Sequence, residues 1–201
     1  MQESLEGLRE TLGECARCSL SQGRNNIVFG DGNPEAELMF VGEAPGRAED
    51  AQGLPFVGPA GRLLDRLLDD IGLVRGDVYI TNVVKCRPPG NRDPLPEETE
   101  VCGPFLQDQI ELIGPKILCA LGRVAAGLMM GKGVQITRIH GQRFDGPGYF
   151  LVPVLHPAAA LRASSNMDLI RQDFSNIKAY LADEESPPEP PTPEPEQMGL
   201  F

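Results

Sequence analysis

The chain has 201 residues, of which 41% are hydrophobic and 23% charged, so it can form one globular domain and is not a fully disordered chain. No run approaches eighteen apolar residues, which excludes a membrane span, and the acidic start lacks an apolar signal region, which favours a cytoplasmic location. The formal net charge of −11 disfavours a nucleic-acid ligand, but residues 183–201 hold six of the 29 acids and none of the 18 bases, so a local basic groove is not excluded.

Four short apolar runs, rich in Val, Ile, Leu and Phe, predict buried strands, and helical patterns alternate with them. In chain order the predicted elements are a strand at 37–41, a helix at 63–71, a strand at 78–84, a helix at 105–113, a strand at 117–121, a helix at 124–130, a strand at 150–155 and a helix at 170–181. This alternation favours right-handed crossovers. The predicted fold is α/β, a three-layer sandwich around a parallel sheet, in a domain that spans residues 1–182.

Polar residues follow the predicted strands at the points where each strand ends. They are residues 42–46 (GEAPG), Asn82 with residues 85–87, residues 122–123, and His156 with Pro157. In a parallel sheet the ligand site lies beyond the carboxyl ends of the strands. We therefore expect these residues to converge on one site.

Four of the five cysteines are candidates for metal binding. Cys15 and Cys18 form a C-x2-C pair, and Cys86 and Cys102 follow downstream. Four thiolates suit Zn²⁺ and an iron–sulfur cluster about equally, and unrelated buried cysteines are the third possibility. Cys119 lies inside a predicted strand, and we interpret it as a core residue.

Residues 183–201 are interpreted as a separate, acidic and proline-rich tail. With six prolines between Pro187 and Pro195, the tail has too little apolar surface to fold and is predicted to be disordered and extended. The chain then ends in QMGLF at 197–201, which is apolar where a disordered tail is normally polar.

Several motifs together resemble one protein family. GEAPG at 42–46, FVG at 56–58, NVVKCRPP at 82–89 and HPA at 156–158 are similar to the motifs of the family 4 uracil-DNA glycosylases, the iron–sulfur branch of the uracil-DNA glycosylase superfamily. The resemblance covers about residues 15–181, with the motifs in the family's order. It implies a central four-stranded parallel sheet and an enzyme of DNA repair. That enzyme flips uracil out of DNA and hydrolyses its N-glycosidic bond, which leaves an abasic site.

The resemblance also assigns the cysteines. It implies a [4Fe-4S] cluster on Cys15, Cys18, Cys86 and Cys102, with a structural rather than a redox role.

The implied uracil pocket joins residues from three of these motifs. Phe56 would stack on the uracil ring, Asn82 would accept from N3–H and donate to O4, and His156 would donate to O2 as a neutral imidazole. Each has a plainer alternative: a core aromatic, a turn cap and a structural histidine. The other histidine, His140, is interpreted as a surface loop residue.

The carboxylate that positions the water nucleophile is assigned by the resemblance. Better-known members of the superfamily carry an aspartate where this chain has Ala44. The resemblance makes Glu49 the residue that positions water. Glu43, which would line the uracil pocket with Ala44, is the rival catalytic carboxylate. The alternative is that Glu49 and Asp50 are a solvated charge pair.

Contacts to DNA are predicted on the neighbouring loops. Gly46 and Gly58 would let backbone N–H groups approach phosphates. In the family, the loop after the His-Pro motif enters the groove, which makes Leu161 the wedge that fills the vacated stack, with Arg162 adding positive charge. The protein is taken to be a monomer by default.

The last five residues resemble the motif by which bacterial repair proteins dock on the sliding clamp. Gln197, Leu200 and Phe201 would anchor in an apolar pocket of the clamp at the end of the proline-rich tether. This interpretation predicts a bacterial protein that acts at the nucleoid.

Three rival functions stay open at this point. They are a relative that removes another deaminated base such as hypoxanthine, a relative that traps uracil-DNA covalently through a histidine, and a non-enzymatic iron–sulfur electron carrier. Phe56 and Asn82 favour uracil, and residues 88–93 contain neither the inserted loop nor the histidine of the covalent relatives. An electron carrier would need neither those two residues nor His156.

Overall fold

The computed structural model describes residues 4–131 and 133–190, which form one mixed sheet with helices on both faces. The strands are β1 Asp31–Gly32, β2 Leu38–Gly42, β3 Tyr79–Asn82, β4 Ile117–Leu121, β5 Phe144–Asp145 and β6 Phe150–Val154. The helices are α1 Leu5–Leu12, α2 Arg47–Gln52, α3 Pro59–Asp70, α4 Pro96–Ile113, α5 Gly122–Met130, α6 Ile136–Ile139, α7 Pro157–Arg162 and α8 Asn166–Ala182.

The strand order across the sheet is β1-β3-β2-β4-β6-β5. The four central strands run parallel, and the two edge strands pair antiparallel to them. The predicted α/β fold with a parallel four-stranded centre is therefore confirmed. The edge strands were missed because each has two residues, too few for a period-two pattern to be visible.

The central strands are buried on both faces, so neighbouring side chains enter different cores. From β2, Phe40 packs with the residues of α3 and α8 on one face, while Met39 packs with those of α4 and α5 on the other. Each parallel crossover carries its helices to one of these faces, which makes the three layers. All four central strands thus present their carboxyl ends at one edge of the sheet.

Helix α4 begins nine residues before the predicted helix at 105–113. Its first turn is polar and Pro104 interrupts the sequence pattern, which hid the start. The start is fixed by Glu98, whose carboxylate accepts from Leu95 N at 2.8 Å and from both terminal nitrogens of Arg92 at 2.7 and 2.8 Å. The Arg92 hydrogen bonds lower the pKa of Glu98 to about 2. The extra turns place Cys102 on this helix.

The chain that follows α8 lies at first along the body of the protein. Arg143 pairs with Asp183 at 3.1 Å and with Glu185 at 2.5 Å, and Gly148 N donates to Pro188 O at 3.1 Å. The clamp motif Gln197, Leu200 and Phe201 lies outside the described residues, and the disordered tail at 183–201 stays a prediction. Over the described part of the chain, none of the helices combines the length and the apolar composition that a membrane span requires.

Candidate active site

A cavity of about 640 Å³ opens at the carboxyl ends of β2, β3 and β6. Most of the predicted substrate and DNA residues line it: Glu43, Ala44, Gly46, Glu49, Phe56, Gly58, Asn82 and His156. Leu161 and Arg162 lie on α7, outside this lining. The structure thus brings residues of all four sequence motifs to one site.

Asn82 is the last residue of β3 and pairs in the sheet with Gly42, the last residue of β2. Its side chain is 2% exposed, and its Nδ2 has no hydrogen-bond partner among the described residues. The backbone carbonyl of Asn82 accepts from the buried Lys85 Nζ at 2.8 Å. The backbone of Asn82 is therefore fixed at the end of β3, while the side-chain NH2 group is buried without a partner in the described part of the chain.

Lys85 is a buried residue of this site that the sequence did not assign. Its Nζ also donates to Thr81 Oγ1 at 2.7 Å and to Gln109 Oε1 at 2.5 Å, and burial lowers its pKa to about 7. These bonds tie the end of β3 to α4.

Gly42 lets Asn82 and Phe56 approach each other. A Cβ atom at Gly42 would lie 2.4 Å from Asn82 Oδ1 and 2.7 Å from two atoms of the Phe56 ring. The close approach requires a residue without a side chain at this position. The sequence placed Gly42 at the site as the first residue of the GEAPG motif, but it did not reveal this packing role.

Phe56 holds its ring in the site through an unusual backbone conformation. Its φ angle is +52°, a left-handed conformation that costs a non-glycine residue on the order of 1–2 kcal/mol. The ring is stacked against that of His156, with 5.7 Å between centroids.

Arg75 bonds the backbone of the strained loop and does not line the cavity. Its guanidinium donates to the carbonyl of Phe56 at 3.1 Å and also to the carbonyl of Pro55. It pairs with Asp65 of α3 at 3.2 Å and lies 3.7 Å from Asp31 of β1. One side chain thus joins this loop to a helix and an edge strand.

His156 caps the start of α7. Its Nδ1 accepts from Ala158 N at 3.1 Å, so the proton of the neutral ring is on Nε2. Burial lowers the pKa of His156 to about 4, and the charge of Arg162 acts in the same direction. The imidazole is therefore neutral near pH 7 and has one N–H to donate.

Glu49 of α2 is oriented by backbone amides. Its Oε1 accepts from Val57 N at 3.1 Å and from Gly58 N at 2.9 Å. A Cβ atom at Gly46 would lie 2.8 Å from Oε2. The Gly58 amide is thus engaged by Glu49, which corrects the expectation that it is free to approach a phosphate.

Glu43 has a different environment from Glu49. Burial raises its pKa to about 7, and the neighbouring Asp93 adds to this through its charge and a hydrogen bond. Arg123 acts in the opposite direction and itself pairs with Asp93 at 2.6 Å. The site therefore holds one carboxyl that is partly protonated near neutral pH and one that accepts two backbone N–H groups.

The four predicted metal-binding cysteines lie near one another and are all free thiols. Burial raises the pKa of Cys86 to about 11, Arg24 acts against this rise, and the charges of Cys102 and Cys18 add to it. Burial also raises the pKa of Cys102, Lys85 opposes the rise, and the charges of Cys18 and Cys15 add to it. Arg24 donates to Cys86 Sγ at 3.5 Å, and Lys85 N donates to Cys102 Sγ at 3.4 Å. In residues 4–131 and 133–190, no three His, Cys, Asp or Glu side chains are grouped as ligands of one metal ion.

Cys119 is separate from these four cysteines. It is completely buried within β4, and burial raises the pKa of its thiol well above the usual value. Its position agrees with the interpretation as a core residue.

His140 lies in the turn after α6, as its interpretation as a loop residue predicted, but its side chain is half-buried rather than on the surface. Its Nδ1 lies 2.7 Å from Asp173 Oδ1, and the aspartate is 1% exposed. The other oxygen of Asp173 accepts from Leu155 N at 3.3 Å. The pair therefore supports the backbone immediately before His156, a contact between distant segments that sequence spacing cannot reveal.

Comparisons with known proteins point to one family. A family model described as the uracil DNA glycosylase superfamily matches residues 29–182. The chain is 44% identical over 187 residues to a type-4 uracil-DNA glycosylase of Thermotoga maritima, which covers 91% of this chain and 97% of the relative. It is also 44% identical to proteins of the same name from Sulfurisphaera tokodaii, with 88% and 84% covered, and from Archaeoglobus fulgidus, with 87% and 92% covered.

Proposed function

The chain belongs to the uracil DNA glycosylase superfamily and is a uracil-DNA glycosylase, and we propose that the cavity between β2, β3 and β6 holds the excised base. The observation that carries the proposal is the buried Asn82 amide with its unpartnered Nδ2. A buried donor without a partner costs about 1–3 kcal/mol. A ligand that accepts this bond recovers that free energy.

Uracil complements the three groups around the cavity. Phe56 offers a flat ring to stack on, Asn82 Nδ2 donates to O4, and Asn82 Oδ1 accepts from N3–H. Cytosine has an amino group where uracil has O4, so it would place a donor against a donor.

His156 stabilises the leaving group in this proposal. As the bond between N1 of uracil and C1′ of deoxyribose breaks, its electron pair stays with the base and negative charge collects on O2. The neutral His156 donates from Nε2 to that oxygen. Removing one donor of this kind typically costs about 3–4 kcal/mol of transition-state stabilisation.

Glu49 positions the attacking water. One of its oxygens is fixed by two backbone N–H groups, and the other accepts from the water, whose oxygen bonds to C1′ while its proton passes to the carboxylate. Glu43, with its pKa raised to about 7, is a weaker candidate for this role because it is partly protonated. We therefore assign Glu43, with Ala44, to the wall of the uracil pocket.

We also propose that Cys15, Cys18, Cys86 and Cys102 hold a [4Fe-4S] cluster. Four free thiols that interact electrostatically fit a ligand set of this type. Thiolates around one zinc ion lie about 3.8 Å apart, as tetrahedral Zn–S bonds of about 2.3 Å require. In a cluster each thiolate binds its own iron, which allows wider spacing. When bound, the cluster would supply a cross-link between the N-terminal segment, the chain after β3, and α4.

The DNA face includes the exposed end of α7, because the segment after His156 is a helix rather than the predicted loop. Leu161 is 48% exposed and is suited to enter the stack that the uracil leaves, with Arg162 beside it. Gly46, at the rim of the cavity, keeps its assignment as a close approach for the DNA backbone. Because the substrate is DNA, we place the enzyme at the nucleoid in the cytoplasm.

The C-terminal motif extends this proposal to a partner. Gln197, Leu200 and Phe201 follow a proline-rich segment and would dock on the bacterial sliding clamp as a tethered peptide. Deleting residues 197–201 should abolish clamp binding in a pull-down while cleavage of a short oligonucleotide stays unchanged.

The test of the activity uses a DNA strand with one uracil, followed by alkali and gel electrophoresis. The wild type should cut at the uracil, and Asn82→Asp should lose most of its preference for uracil over cytosine, by about tenfold to a hundredfold. Asn33→Asp is the matched control, since Asn33 lies in a surface turn where it accepts from Glu35 N. Unchanged uracil kinetics in Asn82→Asp would refute the pocket assignment.

A further inference from the structure

A second groove lies beside the cavity on its α3 side. It has a volume of about 480 Å³ and is lined by Pro59, Arg62, Asp65, Arg66 and Leu161. Pro59 also lines the cavity that holds Phe56, Asn82 and His156. The groove is therefore continuous with the rim of the uracil pocket and passes the exposed Leu161.

The groove is positively charged although the chain as a whole is acidic. Arg62 and Arg66 are exposed, and neither forms an ion pair with any other described residue. The one acid of the lining, Asp65, is paired with Arg75 at 3.2 Å. Two guanidinium groups without an ion pair among the described residues thus remain on a chain whose net charge is −11, although Asp69 and Asp70 lie near Arg66 on the side away from this groove's lining.

The two arginines have a regular spacing. Residues four apart share one face of a helix and are separated by about 6 Å along its axis. This is close to the separation of neighbouring phosphates in one DNA strand. The opposite wall carries Leu161, so the groove offers cations on one side and an apolar side chain on the other. A nucleic-acid strand is complementary to both walls, because its backbone phosphates can pair with the arginines and its base faces can pack against Leu161.

We propose that Arg62 and Arg66 bind successive phosphates of the uracil-containing strand, in the part of that strand that leaves the cavity past Pro59. This inference rests on the proposed function, because it takes the cavity to hold the flipped uracil. It adds the path of the strand beyond the cavity, which the assigned residues Gly46, Leu161 and Arg162 do not define.

The test compares the double variant Arg62→Gln, Arg66→Gln with the wild type on a single-stranded uracil oligonucleotide. Each lost phosphate contact reduces the slope of log Kd against log salt by about 0.7, so we expect a slope that is smaller by about 1.4. KM should rise by about tenfold at moderate salt. The rate at saturating DNA and the inhibition by free uracil should not change, since neither arginine lines the cavity.

Lys178→Gln is the matched control for loss of positive charge. Lys178 is exposed on α8, one turn before Leu181, whose carbonyl accepts from Lys116 at the beginning of β4. This places it at the sheet edge opposite the cavity. Its slope and KM should match those of the wild type.

The outcomes separate failure of this inference from failure of the proposed function. An unchanged slope in the double variant, an equal change in Lys178→Gln, or loss of inhibition by free uracil in the double variant would overturn the strand path. A wild type that neither cleaves the strand nor is inhibited by uracil would instead overturn the assignment of the cavity.

Discussion

The protonation and hydrogen bonding of the ionisable residues around the cavity depend on their surroundings more than on residue type. Burial keeps His156 neutral by lowering its pKa to about 4, whereas burial and Asp93 raise the pKa of Glu43 to about 7. Glu49, a few residues away, accepts two backbone N–H groups instead. Two residue types thus supply a donor for the leaving group, a partly protonated carboxyl in the pocket wall and an oriented carboxylate.

Glu43 should make the stability of the folded protein depend on pH. Its folded-state pKa of about 7 lies above the usual value of 4.5. Its stabilising contribution is therefore fully present below about pH 4.5 and is lost as the pH rises through 7. Glu43→Gln should remove this loss, so the variant should gain stability relative to wild type between pH 5 and 8. We expect a gain on the order of 1 kcal/mol, reduced from the full shift because the cavity is open to solvent.

Urea unfolding at several pH values between 5 and 8 measures this gain. The control is Glu35→Gln, at an exposed position, whose curve should run parallel to that of the wild type. If the Glu43→Gln curve is also parallel to the wild type, the raised pKa is wrong.

At the scale of secondary-structure elements, the reactive groups lie at element ends. Asn82 ends β3, His156 precedes α7, and Glu49 belongs to the six-residue α2. The backbone turns sharply at such ends, and Phe56 adopts its left-handed conformation in the loop between α2 and α3. The geometry of the pocket therefore depends on side chains that bond to these element ends without lining the cavity.

Arg75 is expected to position Phe56 through its carbonyl. Arg75→Met removes the bonds to Pro55 and Phe56 and should allow the strained loop to relax, which should weaken uracil cleavage by about tenfold to a hundredfold in kcat/KM. If Arg75 affects cleavage by positioning the Phe56 ring, Arg75→Met should cause little further loss of kcat/KM in a Phe56→Ala background. Arg75→Lys should restore part of the activity, since an ammonium can reach one carbonyl.

Kinetics of the four proteins of this cycle (wild type, Arg75→Met, Phe56→Ala and the double variant), at a temperature where each is folded, decide the role of Arg75. Arg171→Met is the control, since Arg171 forms an exposed pair with Asp70 on the same helix α3. Full additivity of the Arg75 and Phe56 substitutions would mean that Arg75 serves only global stability.

Sequence reasoning found the central strands and the pocket motifs because both leave local signals. Continuous apolar runs mark strands buried on two faces, and polar residues after them mark the site edge. The sequence could not reveal contacts between distant segments: the Arg75 bonds to Phe56, the His140–Asp173 pair and the packing of Gly42 against Asn82. The early start of α4 was hidden because its polar first turn is stabilised by Arg92 and Glu98 rather than by apolar spacing.

At the scale of the whole molecule, one stretch of chain joins the base pocket to the cysteines. Asn82 lies in the pocket, and Cys86 follows four residues later, with Lys85 bonded to both the Asn82 carbonyl and α4. Arg92, which lines the cavity, also holds Glu98 near Cys102. A substitution at the cysteines should therefore also alter the position of Asn82.

Cys86→Ser tests this connection together with the proposed cluster. The wild type should be coloured by a cluster, and Cys86→Ser should lose most of the visible absorbance and iron, unfold at a lower temperature, and lose at least about tenfold in kcat/KM as the Asn82 segment loosens. Cys119→Ser is the control, because it places an unpaired hydroxyl in the core and should cost about 1–3 kcal/mol without loss of iron or colour. Iron analysis, visible spectra and thermal unfolding of the three proteins give the answer. A colourless wild type that contains zinc would contradict the cluster, and a colourless Cys86→Ser protein with full activity would contradict its link to Asn82.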